Sequence, residues 1–599
     1  MSTHSARLAA LRDQLSRDRL DGFVVPLTDE HMSEYVGAYA QRLAWLTGFQ
    51  GSAGTAVVLP QEAAIFTDGR YTLQVREQVS GDDWQFVGVP DTSVAAWLGD
   101  HAADGARIGY DPWLHTRAWV EEARTALARV GATLVPVDAN PVDAIWPDRP
   151  APSDAVLTVQ PDAVAGRASA AKRAEVADWL GEVGADATVI AALDSIAWLL
   201  NVRGADVART PVALAYTIVH ADGTADLFVA PEKMTPEVAE HLGNAVRVHD
   251  RAAFAPALAT LAGKRVAIDP GFAVSAIFDR VEQAGGSALA LRDPVVLAKA
   301  TKNPVEIAGH RAASTRDGAA LSRFLRWIAD EAPKGGQTEL SAAARLHAFR
   351  EETGMLKDLS FDAISATGPH GAIPHYHVTE ASSLPIERGQ LYLIDSGGQY
   401  QDGTTDVTRV VPIGTPTAEM RDRFTRVLKG HIALATAIFP RGTCGAQLDA
   451  FARAPLWQAG LDFAHGTGHG VGSFLSVHEG PARIAKPTYG GPAPAEPLLP
   501  GMILSNEPGY YKAGEYGIRI ENLLLVVERA IAGGEAVMLA FETLTLAPID
   551  RDLIEVGLLT DYELSWLNAY HARVAAELSP ALGAEDAAWL ASRCSPVTR

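Results

Sequence analysis

Hydrophobic and polar residues alternate along the first half of the chain in a pattern typical of mixed helices and strands. Short apolar segments rich in β-branched residues, such as Gly22–Pro26 and Thr55–Leu59, predict buried strands. Segments with apolar residues every three or four positions, such as 93–103 and 118–129, predict amphipathic helices. Helices that alternate with strands in this way predict an α/β fold, with α+β character where strands later cluster.

Two sequence blocks recur in the same order further along the chain, which suggests an internal duplication. Trp45–Ser52 parallels Trp198–Ala205, and Arg107–Pro112 parallels Arg265–Pro270. Two copies of one domain would explain both matches. The alternative is chance, because apolar strands that end in turn residues are common.

A proline-rich linker and a helix-start signal divide the chain. Four prolines lie between Asn140 and Ser153, which is typical of a linker. Asn303 followed by Pro304 predicts an N-cap with proline at the first helical position. The chain becomes rich in strands and turns after Phe361 and helical again near its end. These changes predict four segments, 1–150, 151–302, 303–540 and 541–599.

The third segment contains two predicted strand pairs. Leu391–Ile394 and Val407–Val411 form the first pair, with glycine-rich turns between them. Met502–Ser505 and Ile518–Val527 form the second pair. Acidic residues lie at the ends of these strands.

Composition and charge narrow the classes of function. The 599 residues include 51 basic and 72 acidic side chains, and a net charge of −21 disfavours binding to nucleic acid or anionic lipid. Two cysteines exclude a disulfide framework. The sequence has no apolar run near the length of a membrane span, and the N-terminal leucine pattern predicts an amphipathic helix, not a signal peptide. We therefore expect a cytoplasmic protein without nucleic-acid or membrane partners.

Four carboxylates and one imidazole stand at or near the ends of the predicted strands. They are Asp395, Asp406, His469, Glu507 and Glu521. Buried together without a cation, the carboxylates would be strongly destabilised, whereas hard oxygen ligands with one histidine suit two divalent ions such as Mn²⁺. Taken singly, each residue could instead face solvent or form a turn, and spacing alone does not unite them.

The order and context of these residues resemble the pita-bread metallopeptidase superfamily, specifically the long three-domain cytosolic aminopeptidase P (Xaa-Pro aminopeptidase) type. The motifs that carry the resemblance are Gly371–His377, Leu391–Tyr400, Asp402–Arg409, His465–Gly472, Val477–Pro481, Asn506–Tyr511 and Gly517–Asn522. The resemblance covers the whole chain. It implies two creatinase-like N-terminal α/β domains, in agreement with the repeat, followed by a pita-bread catalytic domain and a C-terminal extension.

The resemblance implies a metalloaminopeptidase that hydrolyses the bond between an N-terminal residue and a penultimate proline, using a dinuclear metal-bridged hydroxide. All five residues of the acidic set would be metal ligands, with Asp406 and Glu521 bridging the ions and Glu507 also deprotonating the water. Mn²⁺ is the expected metal, with Zn²⁺ or Co²⁺ as alternatives. Peptides with penultimate proline are the expected substrates, and a homodimer is the expected assembly.

Three further histidines line the site by the same resemblance, and they are His375, His465 and His478. Imidazoles that titrate near neutral pH can stabilise an oxyanion and protonate the leaving proline nitrogen. These histidines and Glu507 are the predicted catalytic residues. The predicted substrate-binding residues are the same three histidines and Arg519. Arg519 would orient a carboxylate. His375 and Tyr376 would accept the proline ring.

Two alternative functions stay open. A prolidase would cleave Xaa-Pro dipeptides, but prolidases usually have one N-terminal domain instead of two. A non-catalytic pita-bread binding protein would use the same groove for a partner. Such proteins typically lose metal ligands, whereas this chain keeps all five positions.

Overall fold

The computed structural model of the chain describes residues 3–89, 91–487 and 493–599. The chain divides into two compact units, Met1–Val296 and Leu297–Arg599. The predicted α/β fold class is confirmed, because helices cover sheets in both units. The finer division at residues 150, 302 and 540 stays a prediction.

The N-terminal unit contains two six-stranded sheets built from short apolar strands. The strands of the unit are β1 (Gly22–Pro26), β2 (Thr55–Val58), β3 (Ala63–Thr67), β4 (Gln85–Gly88), β5 (Arg107–Tyr110), β6 (Thr133–Pro136), β7 (Thr158–Val159), β8 (Ala187–Ile190), β9 (Val202–Arg203), β10 (Ala215–His220), β11 (Ala225–Val229), β12 (Val246–His249), β13 (Arg265–Ile268) and β14 (Ser287–Ala290). Of these, β7 and β9 pair with each other outside the two larger sheets. The spatial orders are β4-β3-β2-β1-β5-β6 and β12-β11-β10-β8-β13-β14. Both sheets therefore have the same strand order, as an internal duplication requires.

Helices pack on these sheets and follow the predicted apolar pattern. They are α1 (Thr3–Arg17), α2 (Arg42–Thr47), α3 (Gln74–Gln78), α4 (Val94–His101), α5 (Arg117–Ala128), α6 (Pro141–Ala144), α7 (Asp162–Ala165), α8 (Ser169–Val183), α9 (Leu193–Leu200), α10 (Pro236–Leu242), α11 (Phe254–Ala257), α12 (Ser275–Gln283) and α13 (Pro294–Ala300), which continues past the boundary of the unit. The first repeated sequence block forms equivalent helix ends. α2 stops at Gly48 and α9 stops at Asn201, both in the left-handed conformation that closes a helix.

The C-terminal unit begins with the long helix that the Asn303-Pro304 signal predicts. Its helices are α14 (Pro304–Glu331), α15 (Glu339–Glu351), α16 (Ala418–Ala435), α17 (Gly445–Trp457), α18 (Asp561–Leu578) and α19 (Ala584–Arg593). The Asn303 side chain accepts hydrogen bonds from two backbone N–H groups, and Glu306 completes a capping box. Across the three described ranges, no helix is both long enough and apolar enough to cross a membrane.

The strands of this unit form a large sheet and several smaller ones. They are β15 (Leu356–Leu359), β16 (Ile364–Thr367), β17 (Leu391–Ser396), β18 (Gly398–Tyr400), β19 (Gly403–Thr404), β20 (Val407–Pro412), β21 (Ile438–Pro440), β22 (Gly468–Gly470), β23 (Glu479–Ile484), β24 (Ile503–Asn506), β25 (Gly509–Lys512), β26 (Tyr516–Arg519), β27 (Asn522–Arg529) and β28 (Met538–Thr543). The largest sheet has the order β21-β28-β27-β24-β22-β23, and β16-β17-β20 form a second sheet.

Both predicted strand pairs are present, but one strand of the second pair has different bounds from those predicted. β17 pairs antiparallel with β20, as the pattern predicts. β24 pairs antiparallel with β27, but the predicted strand Ile518–Val527 is two strands. The chain leaves its pairing with β25 after Arg519 and joins β24 from Asn522 onward, so Ile520 and Glu521 lie at the crossing between two sheets.

Candidate active site

The five predicted metal-ligand residues come from neighbouring strands of the C-terminal unit. Asp395 lies on β17 and pairs with Thr408 on β20, while Asp406 directly precedes β20. His469 lies on β22 beside β24, which ends just before Glu507. Because antiparallel pairing places these strand segments side by side, residues far apart in sequence share one buried site.

Short distances connect the acidic residues through His469. Ligand atoms of Asp406, His469 and Glu521 lie within 4.8 Å of one another. The Nε2 atom of His469 is 3.5 Å from Asp406 Oδ2 and 3.6 Å from Glu507 Oε1. The structure therefore brings these four together, and Asp395 joins them through Arg519 and Thr408, as described below.

Two buried carboxylate oxygens lack the hydrogen bonds that burial normally demands. Within the described residues, Asp395 Oδ1 and Asp406 Oδ1 have no hydrogen-bond partner. Burial and the neighbouring carboxylates raise the pKa of Asp406 and Glu521 well above the ordinary values, and burial raises the pKa of Glu507. Such a cluster of repelling carboxylates is the environment that a multivalent cation stabilises.

One backbone carbonyl determines which nitrogen of His469 faces this cluster. His469 Nδ1 lies 2.9 Å from the carbonyl oxygen of Gly470. A carbonyl only accepts hydrogen bonds, so Nδ1 carries the proton and Nε2 presents its lone pair to the carboxylates. This tautomer is the one a metal-binding histidine requires.

Arg519 links the carboxylates to His465. Its Nη2 donates to Asp395 Oδ2 at 2.6 Å, its Nε to Thr408 Oγ1 at 3.1 Å, and its Nη1 to the Tyr511 hydroxyl at 2.7 Å. The Tyr511 oxygen is 2.8 Å from His465 Nε2, and Thr408 donates to Glu521 Oε2 at 2.7 Å. Arg519 thus contacts the Asp395 carboxylate, and its role in orienting a carboxylate stays a prediction.

The other two predicted histidines lie on separate loops. The His478 ring packs edge-on against the His469 ring with centroids 4.3 Å apart. His375 is half-buried in the loop between β16 and β17. That loop is held close to β26, since a Cβ added to Gly517 would lie 1.6 Å from the Gly371 carbonyl oxygen.

Polar contacts hold the hydroxyl of Tyr376, and the contact of its ring with the substrate's proline stays a prediction. Its side chain is buried, and its hydroxyl donates to Glu339 and to Ser382. The fully buried Glu339 carboxylate also accepts from the backbone N–H groups of Thr367 and Leu384. Tyr376 and Glu339 thus hold both ends of the loop that carries His375.

Three residues in or behind the site were not predicted from the sequence, and they are Thr408, Tyr511 and His431. Thr408 lies two residues after Asp406, so strand alternation places both on one face, a signal that the sequence does contain. Tyr511 and His431 offer no comparable signal. His431 lies behind the site, with Nδ1 3.1 Å from the carbonyl oxygens of both Asn506 and Ile520.

Most of the chain matches known protein families. Residues 308–528 match metallopeptidase family M24, and residues 537–597 match the C-terminal region of that peptidase family. Residues 7–145 and 148–306 each match the creatinase/prolidase N-terminal domain.

Similar proteins extend over nearly the full length. Aminopeptidase P2 of Arabidopsis thaliana is 40% identical over 97% of this chain and 86% of its own. A probable Xaa-Pro aminopeptidase P of Aspergillus fumigatus is 40% identical over 99% of this chain and 93% of its own. The solved structure of X-prolyl aminopeptidase from Caenorhabditis elegans, described as a cytosolic enzyme with a di-nuclear active site, matches with a TM-score of 0.95, 35% identity and full coverage of both chains.

The fold and the carboxylate–imidazole cluster are those of a metallopeptidase. Within that class, the chain belongs to the aminopeptidase P group of metallopeptidase family M24, with creatinase-type N-terminal domains.

Proposed function

We propose that this protein is an Xaa-Pro aminopeptidase, which releases the N-terminal residue from peptides with proline in the second position. The observation that carries the proposal is the buried cluster of Asp406, His469 and Glu521, with Glu507 3.6 Å from His469. The cluster lies in a chain that matches proteins named aminopeptidase P2 and probable Xaa-Pro aminopeptidase P over 97% and 99% of its length.

The residues of the cluster fit two divalent ions. The partnerless oxygens of Asp395 and Asp406, and the lone pair of His469 Nε2, are donors aimed at a buried polar site. We propose that Asp395, Asp406, His469, Glu507 and Glu521 would hold the ions. Hard oxygen donors with a single imidazole favour Mn²⁺ over metals that prefer thiolates. When bound, the ions supply a water molecule with a pKa lowered towards about 7 and polarise the substrate carbonyl.

Glu507 is the residue proposed to accept the proton of the attacking water. Its Oε1 atom is 3.6 Å from His469 Nε2, and its Oε2 atom is 4.0 Å from His465 Nδ1. Glutamate is one of the side chains that act as general bases, and this carboxylate lies within the cluster that would hold the ions.

His375, His465 and His478 are proposed to bind the substrate and stabilise the tetrahedral oxyanion by hydrogen bonds. The His465 ring is held in place, since Nδ1 donates to the Gly466 carbonyl at 2.7 Å and Nε2 lies 2.8 Å from the Tyr511 hydroxyl. Arg519 orients Asp395 through a charge-assisted hydrogen bond.

Hydrolysis of the peptide bond that precedes proline requires a specialised active site. Proline has no backbone N–H and its ring fixes φ, so peptidases that recognise an N–H at that position cannot use it. The leaving nitrogen must also gain a proton as the bond breaks, and an imidazole near neutral pKa can supply it.

We propose a cytoplasmic homodimer with the four predicted segments as its domains. Cytoplasmic location is supported by the two cysteines, which fit a reducing compartment, and by the relative described as cytosolic. The dimer is supported by resemblance to the aminopeptidase P group, and light scattering of the purified protein measures it directly.

Cleavage of two matched substrates tests the proposed function. The purified protein is incubated with Mn²⁺ and either an Xaa-Pro-Yaa tripeptide or the Xaa-Pro dipeptide, and products are followed by mass spectrometry. We expect release of Xaa from the tripeptide and little from the dipeptide. Cleavage of the dipeptide alone would indicate a prolidase, and cleavage of neither by folded, metal-loaded protein would favour a binding protein. Reloading with Zn²⁺ or Co²⁺ tests the preference for Mn²⁺.

A further inference from the structure

Three charged side chains are buried together next to His478. Lys299 at the end of α13 contacts Glu479 Oε1 at 2.9 Å, and Lys302, just before α14, makes a short contact with Glu479 Oε2. All three side chains are at most 2% exposed. Glu306 in the first turn of α14 is also buried and adds a second negative charge near Lys302.

Such a cluster is not explained by its contribution to stability. Moving charged groups out of water costs about as much as their attraction returns, and apolar residues of similar size often serve the fold equally well. Burial accordingly lowers the pKa of Lys302, despite the opposing effect of Glu479. A buried ion cluster is better explained by a role in fixing one local geometry than by a large contribution to stability.

The geometry that this cluster controls is that of His478. Glu479 is the first residue of β23 and follows His478 directly. Its backbone lies opposite Gly470, so close that a Cβ added to Gly470 would be 2.4 Å from the Glu479 carbonyl oxygen. On the other side of the loop, Gln399 Nε2 donates to the Leu475 carbonyl at 2.7 Å. His478 therefore lies between Leu475 and Glu479, whose backbones are both held by neighbouring residues. Its ring packs against the ring of His469.

We propose that Lys299, Lys302 and Glu479 are positioning residues that hold His478 at the proposed metal centre. They act through the backbone on the C-terminal side of His478 and do not touch the reacting atoms themselves. The inference rests on the proposed function, because it assigns the cluster to one of that function's histidines.

A double-mutant comparison tests whether the cluster acts through His478. The variant K302M/E479M removes one positive and one negative charge and keeps side-chain length. In the wild-type background we expect kcat for the tripeptide to fall about 10- to 100-fold, since a displacement of about 1 Å at a catalytic group has effects of this size. Bound Mn²⁺ should stay within about twofold. In an H478A background the same pair should cause no further loss, because the group being positioned is already absent.

A buried Lys–Asp pair in the N-terminal unit provides the control. Lys233 and Asp206 are equally buried, and K233M/D206N should leave kcat unchanged in both backgrounds. If K302M/E479M does not fold, E479Q in the two backgrounds gives the same comparison. Wild-type kcat in the variant, or an equal loss with and without His478, would overturn the inference.

A measurement independent of activity separates this inference from the proposed function. In crystals of metal-free K302M/E479M we expect the His478 ring to be displaced by about 1 Å or disordered, with His465 and His469 unmoved. A His478 ring in its original place would overturn the inference even if wild-type protein cleaved the tripeptide. Failure of the wild type to cleave, with a displaced ring in the variant, would overturn only the proposed function.

Discussion

At the scale of single residues, hydrogen bonds to the backbone determine what each histidine can do. His469 donates from Nδ1 to a carbonyl and so exposes Nε2 to the carboxylates. His431 donates from Nδ1 to two carbonyls and accepts from Asn522 through Nε2, so the whole ring is used to hold strands. Burial, followed by the nearby Arg409 cation, lowers the pKa of His431 to about 3. Identical side chains thus present different ring atoms to their neighbours because their surroundings differ.

Replacement of Glu507 tests the proposed base. Glu507→Ala removes the carboxylate beside His469 and His465, so we expect kcat to fall by at least about 10²-fold, the range for loss of a general base. The rate of tripeptide cleavage at saturating Mn²⁺ is the measurement. Glu528→Ala, which removes an exposed partner of Arg441, should leave kcat unchanged. Activity in Glu507→Ala equal to wild type would contradict the proposed mechanism.

His115 makes the stability of the N-terminal unit sensitive to acid. Burial lowers its pKa from 6.5 to about 4, despite its hydrogen bond to the Asp111 carbonyl. The folded protein therefore binds fewer protons than the unfolded chain between these values. The stabilisation is present above pH 6.5 and is lost as the pH falls towards 4.

Urea unfolding of wild type and His115→Gln at two pH values measures this effect. Between pH 7 and pH 5 the wild type should lose about 2 kcal/mol more free energy of unfolding than the variant. Between pH 8 and pH 9 the two proteins should change in parallel, because the imidazole is neutral in both folded and unfolded chains. Equal losses between pH 7 and pH 5 would show that His115 does not titrate as described.

At the scale of helices and strands, buried side chains tie the site to elements behind it. Arg409 on β20 is almost completely buried, and donates to the carbonyls of Thr408 and Glu521 at 2.8 Å. It also donates to the carbonyls of Ala547 and Pro548, which lie in the region 537–597 that matches the C-terminal region of the peptidase family. One guanidinium therefore joins two strands of the site to the last segment of the chain.

Replacement of Arg409 by lysine should destabilise the C-terminal unit. Lysine cannot satisfy several carbonyls in different directions, so we expect the free energy of unfolding to fall by about 3 kcal/mol or more. Chemical denaturation with tryptophan fluorescence is the measurement. Arg316→Lys, at a partly exposed pair with Asp402, should cost less than about 1 kcal/mol. Similar losses in both variants would show that Arg409 has no special role.

At the scale of the whole molecule, the two units differ in how they gain stability. The N-terminal unit consists of two sheets of the same strand order with apolar clusters on their faces. The C-terminal unit encloses a cluster of carboxylates whose mutual repulsion opposes folding unless a cation or protons neutralise it. Its stability should therefore depend on metal in a way that the N-terminal unit's does not.

Removal of metal tests this difference between the units. A ligand that binds only the folded state at 100 times its dissociation constant adds about 2.7 kcal/mol. Mn²⁺ added to chelated protein should raise the unfolding temperature by a few degrees. Hydrogen exchange should show the added protection in residues 391–412, 465–484 and 503–529. His469→Ala is the control, with a smaller shift at the same Mn²⁺ concentration, and equal protection of both units would contradict the prediction.

Several features of this protein follow from sequence alone because they depend on local patterns. Apolar alternation predicts β17 and β20, and the Asn303-Pro304 signal predicts the start of α14, since both reflect interactions within a few residues. The two repeated blocks predict two equivalent sheets. Resemblance in seven short motifs selects the candidate ligands, because those motifs preserve residue types in a known order.

Other features were decided only by tertiary structure. The strand predicted for 518–527 is split because β26 and β27 pair with different partners, and pairing partners are not encoded in a strand's own periodicity. The hydrogen bond of the Tyr376 hydroxyl to Glu339 also depends on the folded chain, because the two residues are 37 positions apart. The cluster of Lys299, Lys302 and Glu479 joins residues about 180 positions apart, a distance over which only the folded backbone brings charges together.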